Sequence, residues 1–397
     1  MVDNKVLDTL ISYKANKKVS KSIYMDTDEI VSTFNLDVVN KDDSVLVIDA
    51  LEILPYLSAK GVTDVTYIQY GKSQDEHHCV RYFGYNYINV LNKHKVSKIE
   101  MSKKFDVIMS SPSYGNTSLH NKVFEKSYEL LKEGGVMTCI QPSTPFVTAY
   151  DDKSGDEDKS MRDIVINNKS SINLLPPTTM NNVMLFYPLS ATTVTKEKSD
   201  FEGVDTFTDM KDNVYLNVNI DDVNTLNIKP ELYRSMLSKV LKLIGLNGCL
   251  RDIVYWEDGK EVDDTVLKLS KVRGNYGKGK GIDYNRSRTF FSWISVDGID
   301  GLPNFQNNRD KTKFDFGLVI GKDMDHKVAY SYFKTNFARF CMALGKHNHA
   351  VLGSSCELTT PIVDFSVQWT DEQLFDLVGF ADEEIAEVNR VIPPLYS

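Results

Sequence analysis

The chain has 397 residues, of which 42% are hydrophobic and 25% charged, the balance of a globular protein with a real core and enough length for two domains. No stretch approaches the ~20 apolar residues of a bilayer span, and the first residues lack the apolar segment of a secretion signal. We therefore expect a cytoplasmic protein with no membrane partner. The net charge of −9 argues against a generally adhesive nucleic-acid binder but leaves room for a local basic groove.

Disulfide and metal chemistry find little support in the sequence. The five cysteines are scattered and never form a CxxC pair, so neither a disulfide framework nor a zinc site follows. Two histidine groups, His77-His78 and His347-Asn348-His349, lack further ligands at a useful spacing. We interpret them as surface histidines and expect no bound metal.

The first half of the chain alternates strand and helix patterns. After a polar helical arm over residues 1–43, four runs of apolar and β-branched residues predict buried strands. Those runs are Val45–Ile48, Val65–Ile68, Phe105–Met109 and Val136–Ile140. Helices are predicted over Leu54–Lys60 and Asn121–Lys132, the second ended by Gly134-Gly135. The alternation indicates an α/β fold with a doubly wound, Rossmann-like parallel sheet, which binds ligands at the carboxyl ends of its strands.

The second half has a different character. Polar segments at residues 150–160 and 195–228 precede a region that mixes short strands with helices, including a helix near residues 327–345. We therefore divide the chain into residues 1–230 and residues 231–397, and we expect the second domain to be mixed α+β.

A polar turn with an aromatic residue directly follows the third predicted strand. Its sequence, Ser111-Pro112-Ser113-Tyr114, resembles the catalytic motif of DNA amino-methyltransferases, which reads Asn, Asp or Ser, then Pro, Pro and an aromatic residue. In such a motif the polar side chain and a backbone carbonyl accept hydrogen bonds from an exocyclic amine, and the ring stacks on a base rotated out of the duplex. Ser113 replaces the second proline and loosens the turn. An ordinary turn is the alternative interpretation.

The end of the chain carries a second resemblance. Four segments look like the C-terminal segment of type II restriction-modification adenine methyltransferases and their fused endonucleases. They are Tyr332–Phe340, Pro361–Ser366, Trp369–Phe375 and Glu383–Ile385. Within them, Thr370 is suited to cap a helix that opens with Asp371 and Glu372. Together the resemblances span residues 22–397 and imply a methyltransferase sheet followed by a target-recognition domain. They also imply S-adenosylmethionine as cofactor, and double-stranded DNA and a restriction-modification protein as partners.

The positions that the resemblance assigns to the cofactor depart from the family pattern. The turn after the first strand, Asp49–Ile53, lacks the glycines that let a backbone approach a nucleoside cofactor closely, and Leu51 and Ile53 add bulk there. Gln69 stands where an acidic residue would bind the ribose hydroxyls with charge assistance. The candidate cofactor ligands are Tyr24, Thr27, Asp49, Ala50, Gln69 and Asn92.

A basic segment of the second domain is the candidate DNA contact. Between residues 266 and 288, seven basic residues accompany a single acid, Asp283, with glycines and aromatic residues interleaved. Such a segment fits a loop laid on phosphates, and a surface loop rich in lysine and glycine is the alternative. The basic residues are Lys268, Lys271, Arg273, Lys278, Lys280, Arg286 and Arg288. An acidic helix predicted over Asp371–Glu387 should face away from DNA.

Two hypotheses follow. The first is an enzyme that transfers a methyl group from S-adenosylmethionine to the exocyclic amine of a flipped base in DNA, adenine N6 by family weight. Ser111 and the Pro112 carbonyl would orient the amine, and Tyr114 would stack on the base. The second is a degenerate methyltransferase that binds DNA or a partner as a protective, decoy or accessory protein. The departures at the cofactor positions separate the two.

Overall fold

The computed structural model describes the chain in segments that fall into two compact units. The described residues are 33–70, 75–90, 101–112, 117–147, 156–175, 189–255, 265–269, 305–307, 316–321, 326–345 and 358–392. The units are Met1–Thr225 and Leu226–Ser397. Among the described helices, none combines the length and the apolar character that a membrane span requires.

A mixed sheet forms the centre of the first unit. Its strands are β1 (Ser44–Ile48), β2 (Asp64–Tyr70), β3 (Asn86–Val90), β4 (Phe105–Ser110), β5 (Leu131–Pro142), β6 (Asn168–Leu175), β7 (Leu189–Lys198), β8 (Val204–Thr208) and β9 (Val214–Val218). They lie in the order β3-β2-β1-β4-β5-β7-β6-β8-β9. Strands β1 to β5 are parallel, and β7 runs antiparallel to both β5 and β6.

The predicted doubly wound α/β sheet is confirmed, in a mostly parallel form. Each of the four predicted strands is present, as part of β1, β2, β4 and β5. The first seven strands follow the order 3-2-1-4-5-7-6, with the seventh reversed between the fifth and the sixth. This order and this reversal define the class I S-adenosylmethionine-dependent methyltransferase fold, which the first unit therefore has.

Helices cover both faces of this sheet because side chains alternate along each strand. Val45 and Val47 point to the face that carries helices α1 (Leu54–Ala59) and α2 (Asp75–Tyr82). Leu46 and Ile48 point to the opposite face. That face carries α3 (Thr117–Leu130), α4 (Thr144–Val147) and α5 (Asp156–Asn167). Burial on both faces explains the continuous apolar runs that identified the strands.

The sequence predicted that the glycine pair ends a helix. In the structure the pair lies inside strand β5. Helix α3 ends at Leu130 and β5 begins at the next residue. Phe105 pairs with Leu131, whereas Val107 pairs with Val136, so the extra residues of β5 form a bulge around the glycines. Gly134 has a φ of +74°, and a Cβ on Gly135 would lie 2.9 Å from the Asp106 carbonyl oxygen. Both positions therefore favour glycine.

Asp106 joins three elements at the amino edge of the sheet. Its carboxylate accepts hydrogen bonds from the backbone N–H of Ser44 at 2.9 Å and from the Ser44 hydroxyl at 2.7 Å. The ammonium group of Lys132 lies 2.7 Å away. Partial burial raises the pKa of Asp106, but the bonds from Lys132 and Ser44 outweigh it and lower that pKa to about 2. The starts of β1, β4 and β5 are thus held together.

The second unit combines helices with a small antiparallel sheet. Its strands are β10 (Val254–Tyr255), β11 (Thr265–Leu269), β12 (Phe305–Asn307) and β13 (Phe316–Gly321), in the order β10-β13-β11-β12. Its helices are α6 (Pro230–Asn247), α7 (His326–Lys334), α8 (Asn336–Leu344), α9 (Asp371–Val378) and α10 (Asp382–Val391). The helix predicted near residues 327–345 is two helices, because Thr335 has extended backbone and caps α8. A target-recognition role for this unit stays a prediction.

The acidic segment is also two helices, which corrects the single predicted one. Thr370 and Gln373 form a capping box at the start of α9, so the predicted cap is confirmed, and Gly379 ends that helix with a φ of +73°. Two acids of α10 point inward. Glu384 is 2% exposed and accepts hydrogen bonds from Ser235 and Lys239 of α6.

Glu387 completes this attachment of α10. Its carboxylate is buried and accepts a hydrogen bond at 2.9 Å from the backbone N–H of Lys229, the residue that precedes α6. Arg390 of the same helix neutralises it at 2.5 Å. Burial raises the pKa of Glu387, but the bonds from Arg390 and Lys229 leave that pKa below its ordinary value. The second unit thus depends on ionised carboxylates inside a helix packing interface.

The Asp106→Asn variant should be less stable than the wild type by about 1 kcal/mol near pH 7, because it loses the bond to the Lys132 ammonium at a partly exposed site. The folded-state pKa of Asp106 is lowered to about 2, so this stability is present above about pH 4 and lost as the pH falls toward 2. Urea denaturation of the variant and the wild type, at about pH 4 and at about pH 2, measures this difference in unfolding free energy. Asp37→Asn, which removes a fully exposed carboxylate, is the control. Equal losses of unfolding free energy in both variants would show that the contacts of Asp106 with Ser44 and Lys132, the Asp106 clamp, add no stability.

The Glu384→Gln variant should lose about 2 kcal/mol of unfolding free energy, because the charge of Lys239 is then left without its buried partner. Glu383→Gln removes an exposed acid from the neighbouring position and should change stability by less than about 0.5 kcal/mol. Thermal unfolding of both variants provides the comparison. A Glu384→Gln melting temperature equal to that of Glu383→Gln would show that the buried ion pair contributes nothing.

Candidate functional site

Four parallel strands of the first unit end at the same edge of the sheet, where ligands of such folds bind. In the sheet order, β2, β1, β4 and β5 are neighbours there. The residues at their ends are polar and buried. They are Asp49 after β1, Gln69 in β2, Ser110 and Ser111 at the end of β4, and Gln141 in β5. This set contains three predicted site residues and two that the sequence reasoning missed.

Asp49 makes the turn after β1 and is bonded on both sides to β2. Its φ is +51°, a conformation that Asp tolerates better than most side-chain-bearing residues. Its backbone N–H donates to the Ile68 carbonyl at 3.0 Å, and its carboxylate accepts from the Tyr70 N–H at 2.9 Å. Burial and the nearby Asp49 charge raise the pKa of the Tyr70 phenol. Asp49 therefore stabilises the protein's own strand end.

The residues that follow Asp49 do not form a cradle for a nucleoside cofactor. Ala50 is fully buried, and a short 3-10 helix covers Leu51–Ile53. Leu51 and Ile53 belong to the apolar core with Val45 and Val47 of β1. Side chains thus occupy the turn where the family needs bare backbone. The described residues of this turn do not fit S-adenosylmethionine.

Gln69 is engaged inside the protein as well. Its side-chain oxygen accepts a hydrogen bond from the Tyr87 hydroxyl, which in turn accepts from the Asn89 amide at 3.1 Å. The imidazole of His77 packs edge-on against the Tyr87 ring, with 4.8 Å between the ring centroids. His77 is half-buried and is therefore not the surface residue that the sequence suggested. Strand alternation in β3, which puts Tyr87 and Asn89 on one face, was the available signal for this network.

Ser111 and Pro112 lie directly after β4, where the sequence placed them. Both are buried. The Ser111 N–H donates to the Ile48 carbonyl at 3.0 Å, which extends the pairing of β4 with β1 by one residue. The corner is therefore held to β1 by a backbone bond. Ser113 and Tyr114 lie outside the described residues, so the stacking role of Tyr114 stays a prediction.

The sheet face beside this corner carries two further polar residues of β5. Cys139 is the register partner of Ser110, and burial raises the pKa of its thiol to about 12, against the opposing effect of the Ser110 and Ser127 hydroxyls. At neutral pH the thiol is protonated and a poor nucleophile. Gln141, two residues further, is 1% exposed, and its side-chain nitrogen has no hydrogen-bond partner among the described residues.

The remaining candidate residues contribute no described geometry. Tyr24, Thr27 and Asn92 of the cofactor set lie outside the described residues. Lys268 lies on β11, between β12 and β13. The other basic residues of this segment lie outside the described residues. They are Lys271, Arg273, Lys278, Lys280, Arg286 and Arg288. Within the described residues, no three His, Cys, Asp or Glu side chains are placed to hold a metal ion.

Comparisons with known proteins find similarity at the level of structure. No family model matches the sequence, and no curated protein matches it. An O-methyltransferase from Bacillus cereus in complex with SAH is 11% identical, with 49% of this chain and 92% of that chain covered and a TM-score of 0.34.

Two similar structures come from type I restriction-modification systems. For a structure on complex assembly of such a system, identity is 10%, coverage is 62% of this chain and 57% of that chain, and the TM-score is 0.36. The M protein of the type I restriction enzyme EcoKI is 13% identical, with 46% of this chain and 47% of that chain covered and a TM-score of 0.34. Because identity and TM-score are low in all three, the class I methyltransferase fold is assigned from strand order and direction.

Proposed function

We propose that this chain is a DNA-binding protein built on the methyltransferase fold, in which methyl transfer has lapsed. The observation that carries the proposal is the turn after β1. The Asp49 carboxylate is bonded to the Tyr70 N–H at 2.9 Å, and Leu51 and Ile53 fill the apolar core. A cofactor could enter only by breaking these contacts, each of which stabilises the sheet.

Two further observations support the same conclusion. The Gln69 oxygen, which would have to face ribose hydroxyls, accepts a hydrogen bond from Tyr87. Covalent modification of a base through a cysteine is disfavoured too, because burial raises the pKa of Cys139 to about 12. The departures at β1 and β2 are separate, so a single compensating substitution would not restore cofactor binding.

The DNA-binding part of the proposal draws on residues of both units. In the first unit, the Ser111 hydroxyl and the Pro112 carbonyl are acceptors at the edge where ligands bind, and they suit the exocyclic amine of an extruded base. In the second unit, the basic segment that begins at Lys268 suits phosphate contacts. Such a protein would cover sites in DNA or accompany an active restriction-modification protein.

The second candidate function is S-adenosylmethionine-dependent methylation of an exocyclic amine in DNA, adenine N6 by family weight. One observation favours it: Ser111 and Pro112 follow β4 at the sheet edge, held by the bond from the Ser111 N–H to the Ile48 carbonyl at 3.0 Å. Ser111 and the Pro112 carbonyl would orient the amine and Tyr114 would stack on the base. Positioning would then supply most of the rate.

Calorimetric titration distinguishes the two functions. S-adenosylmethionine, added to the full chain with and without duplex DNA, should give no detectable heat of binding, whereas duplex DNA alone should bind. The physical reason is the occupied turn at Asp49–Ile53. Micromolar cofactor binding would overturn the proposal in favour of the enzyme. In that case Tyr114→Ala should abolish methyl incorporation into DNA, and unchanged incorporation would place the base pocket elsewhere.

Charge reversal in the basic segment tests the DNA contact. The double variant Arg286→Glu and Arg288→Glu should weaken duplex binding and reduce the slope of log affinity against log salt by about two, one for each lost phosphate contact. Fluorescence anisotropy across a salt series measures this. The matched control is Lys211→Glu with Lys242→Glu, which changes the net charge equally at two exposed positions. A similar loss of affinity in both double variants would show that net charge, and not the basic segment, determines DNA binding.

A further inference from the structure

Gln141 carries a buried donor that no described residue accepts. It is 1% exposed at the carboxyl end of β5, and its side-chain nitrogen lacks a hydrogen-bond partner among the described residues. An unsatisfied buried donor costs about 1–3 kcal/mol, and such groups in folded proteins usually have a ligand or a functional reason. A residue of this type at the ligand-binding edge therefore indicates a missing acceptor.

The sheet register places Gln141 beside the Ser-Pro corner. Ser110 of β4 pairs with Cys139 of β5 in the last pair of this ladder. Two residues further along the chain come Pro112, just past the end of β4, and Gln141, still in β5. Met137 and Cys139 point to one face, so alternation directs Gln141 to that face too. Neighbouring strands are about 4.8 Å apart, a separation that a glutamine side chain spans. Continued past its last pair, this register would bring an acceptor, the Pro112 carbonyl, next to a donor, the Gln141 amide.

This pairing of groups matches the Watson–Crick edge of one class of base. Adenine and cytosine present an exocyclic amine, which donates, next to a ring nitrogen, which accepts. Guanine and thymine present the reverse: a carbonyl oxygen next to a ring N–H. We infer that Gln141 is a specificity-determining residue that selects adenine and cytosine, by donating to the ring nitrogen while the Pro112 carbonyl accepts from the amine.

The inference rests on the proposed binding of an extruded base at the Ser111–Pro112 corner, and it adds the class of base. It does not depend on a cofactor. Discrimination by a good hydrogen-bonding side chain is worth about 1–3 kcal/mol, or roughly tenfold and more in affinity. The Pro112 carbonyl can only accept, so it would repel the carbonyl oxygen of guanine or thymine, and the selectivity has an unfavourable component as well.

The test compares Gln141→Met with the wild type on short single strands of dA, dC, dG or dT and on an abasic strand of equal length. Methionine keeps the length of the side chain and removes its donors. Affinity for dA and dC strands should fall about tenfold, and affinity for dG, dT and abasic strands should stay unchanged. Because each strand is compared with itself, differences in base stacking cancel. Asn173→Ala, which removes an exposed amide from β6, is the control and should leave all five affinities unchanged.

The outcomes separate the inference from the function beneath it. A wild type that binds the abasic strand as tightly as every base-bearing strand overturns the proposed base pocket. A wild type that prefers dA and dC, together with a Gln141→Met variant that prefers them equally, overturns the role of Gln141 alone. The melting temperature of Gln141→Met should equal or exceed that of the wild type, because an unpaired buried polar group is removed. If it drops sharply instead, the amide has a structural partner and the inference fails.

Discussion

The bond between the Asp49 carboxylate and the Tyr70 N–H is the contact on which the interpretation of this protein depends. It closes the end of β1 against the end of β2 and holds Asp49 in a left-handed conformation that needs such support. Methyltransferases of this fold use the same corner for a ligand, with glycine where this chain has side chains. Here the corner is part of the core. Strand order and site chemistry therefore lead to different conclusions: the order gives the fold, and the corner argues against the activity usual for it.

The sequence predicted the sheet well because burial on both faces leaves a plain signature. The runs at Val45–Ile48 and Phe105–Met109 are apolar throughout, and each became a central strand. The Thr370 cap could be predicted for a different reason: a capping residue bonds within a single turn of its own helix, so neighbouring residues are enough to identify it. Periodicity was less informative around Gly134 and Gly135. A glycine pair after a helix suggests a terminator, but register with β4 made it a bulge.

Polar contacts between distant residues were beyond the sequence. That Gln69 would bond Tyr87, or that Glu384 would face Lys239, depends on which elements pack together, and an amphipathic pattern does not reveal this. The acidic stretch shows the difficulty clearly: its seven acids with no base predicted only a helix that faces away from DNA, whereas two of them are buried carboxylates. Gln141 was missed because its significance lies in a side-chain nitrogen that no described residue bonds.

The clamp at Asp106 lies at the opposite edge of the sheet from the ligand-binding corner. Its bonds to Ser44 and Lys132 tie β1, β4 and β5 together through contacts internal to the chain. These contacts include no residue of the ligand-binding edge. A change in what binds at one edge of the sheet would therefore leave the contacts at the opposite edge intact.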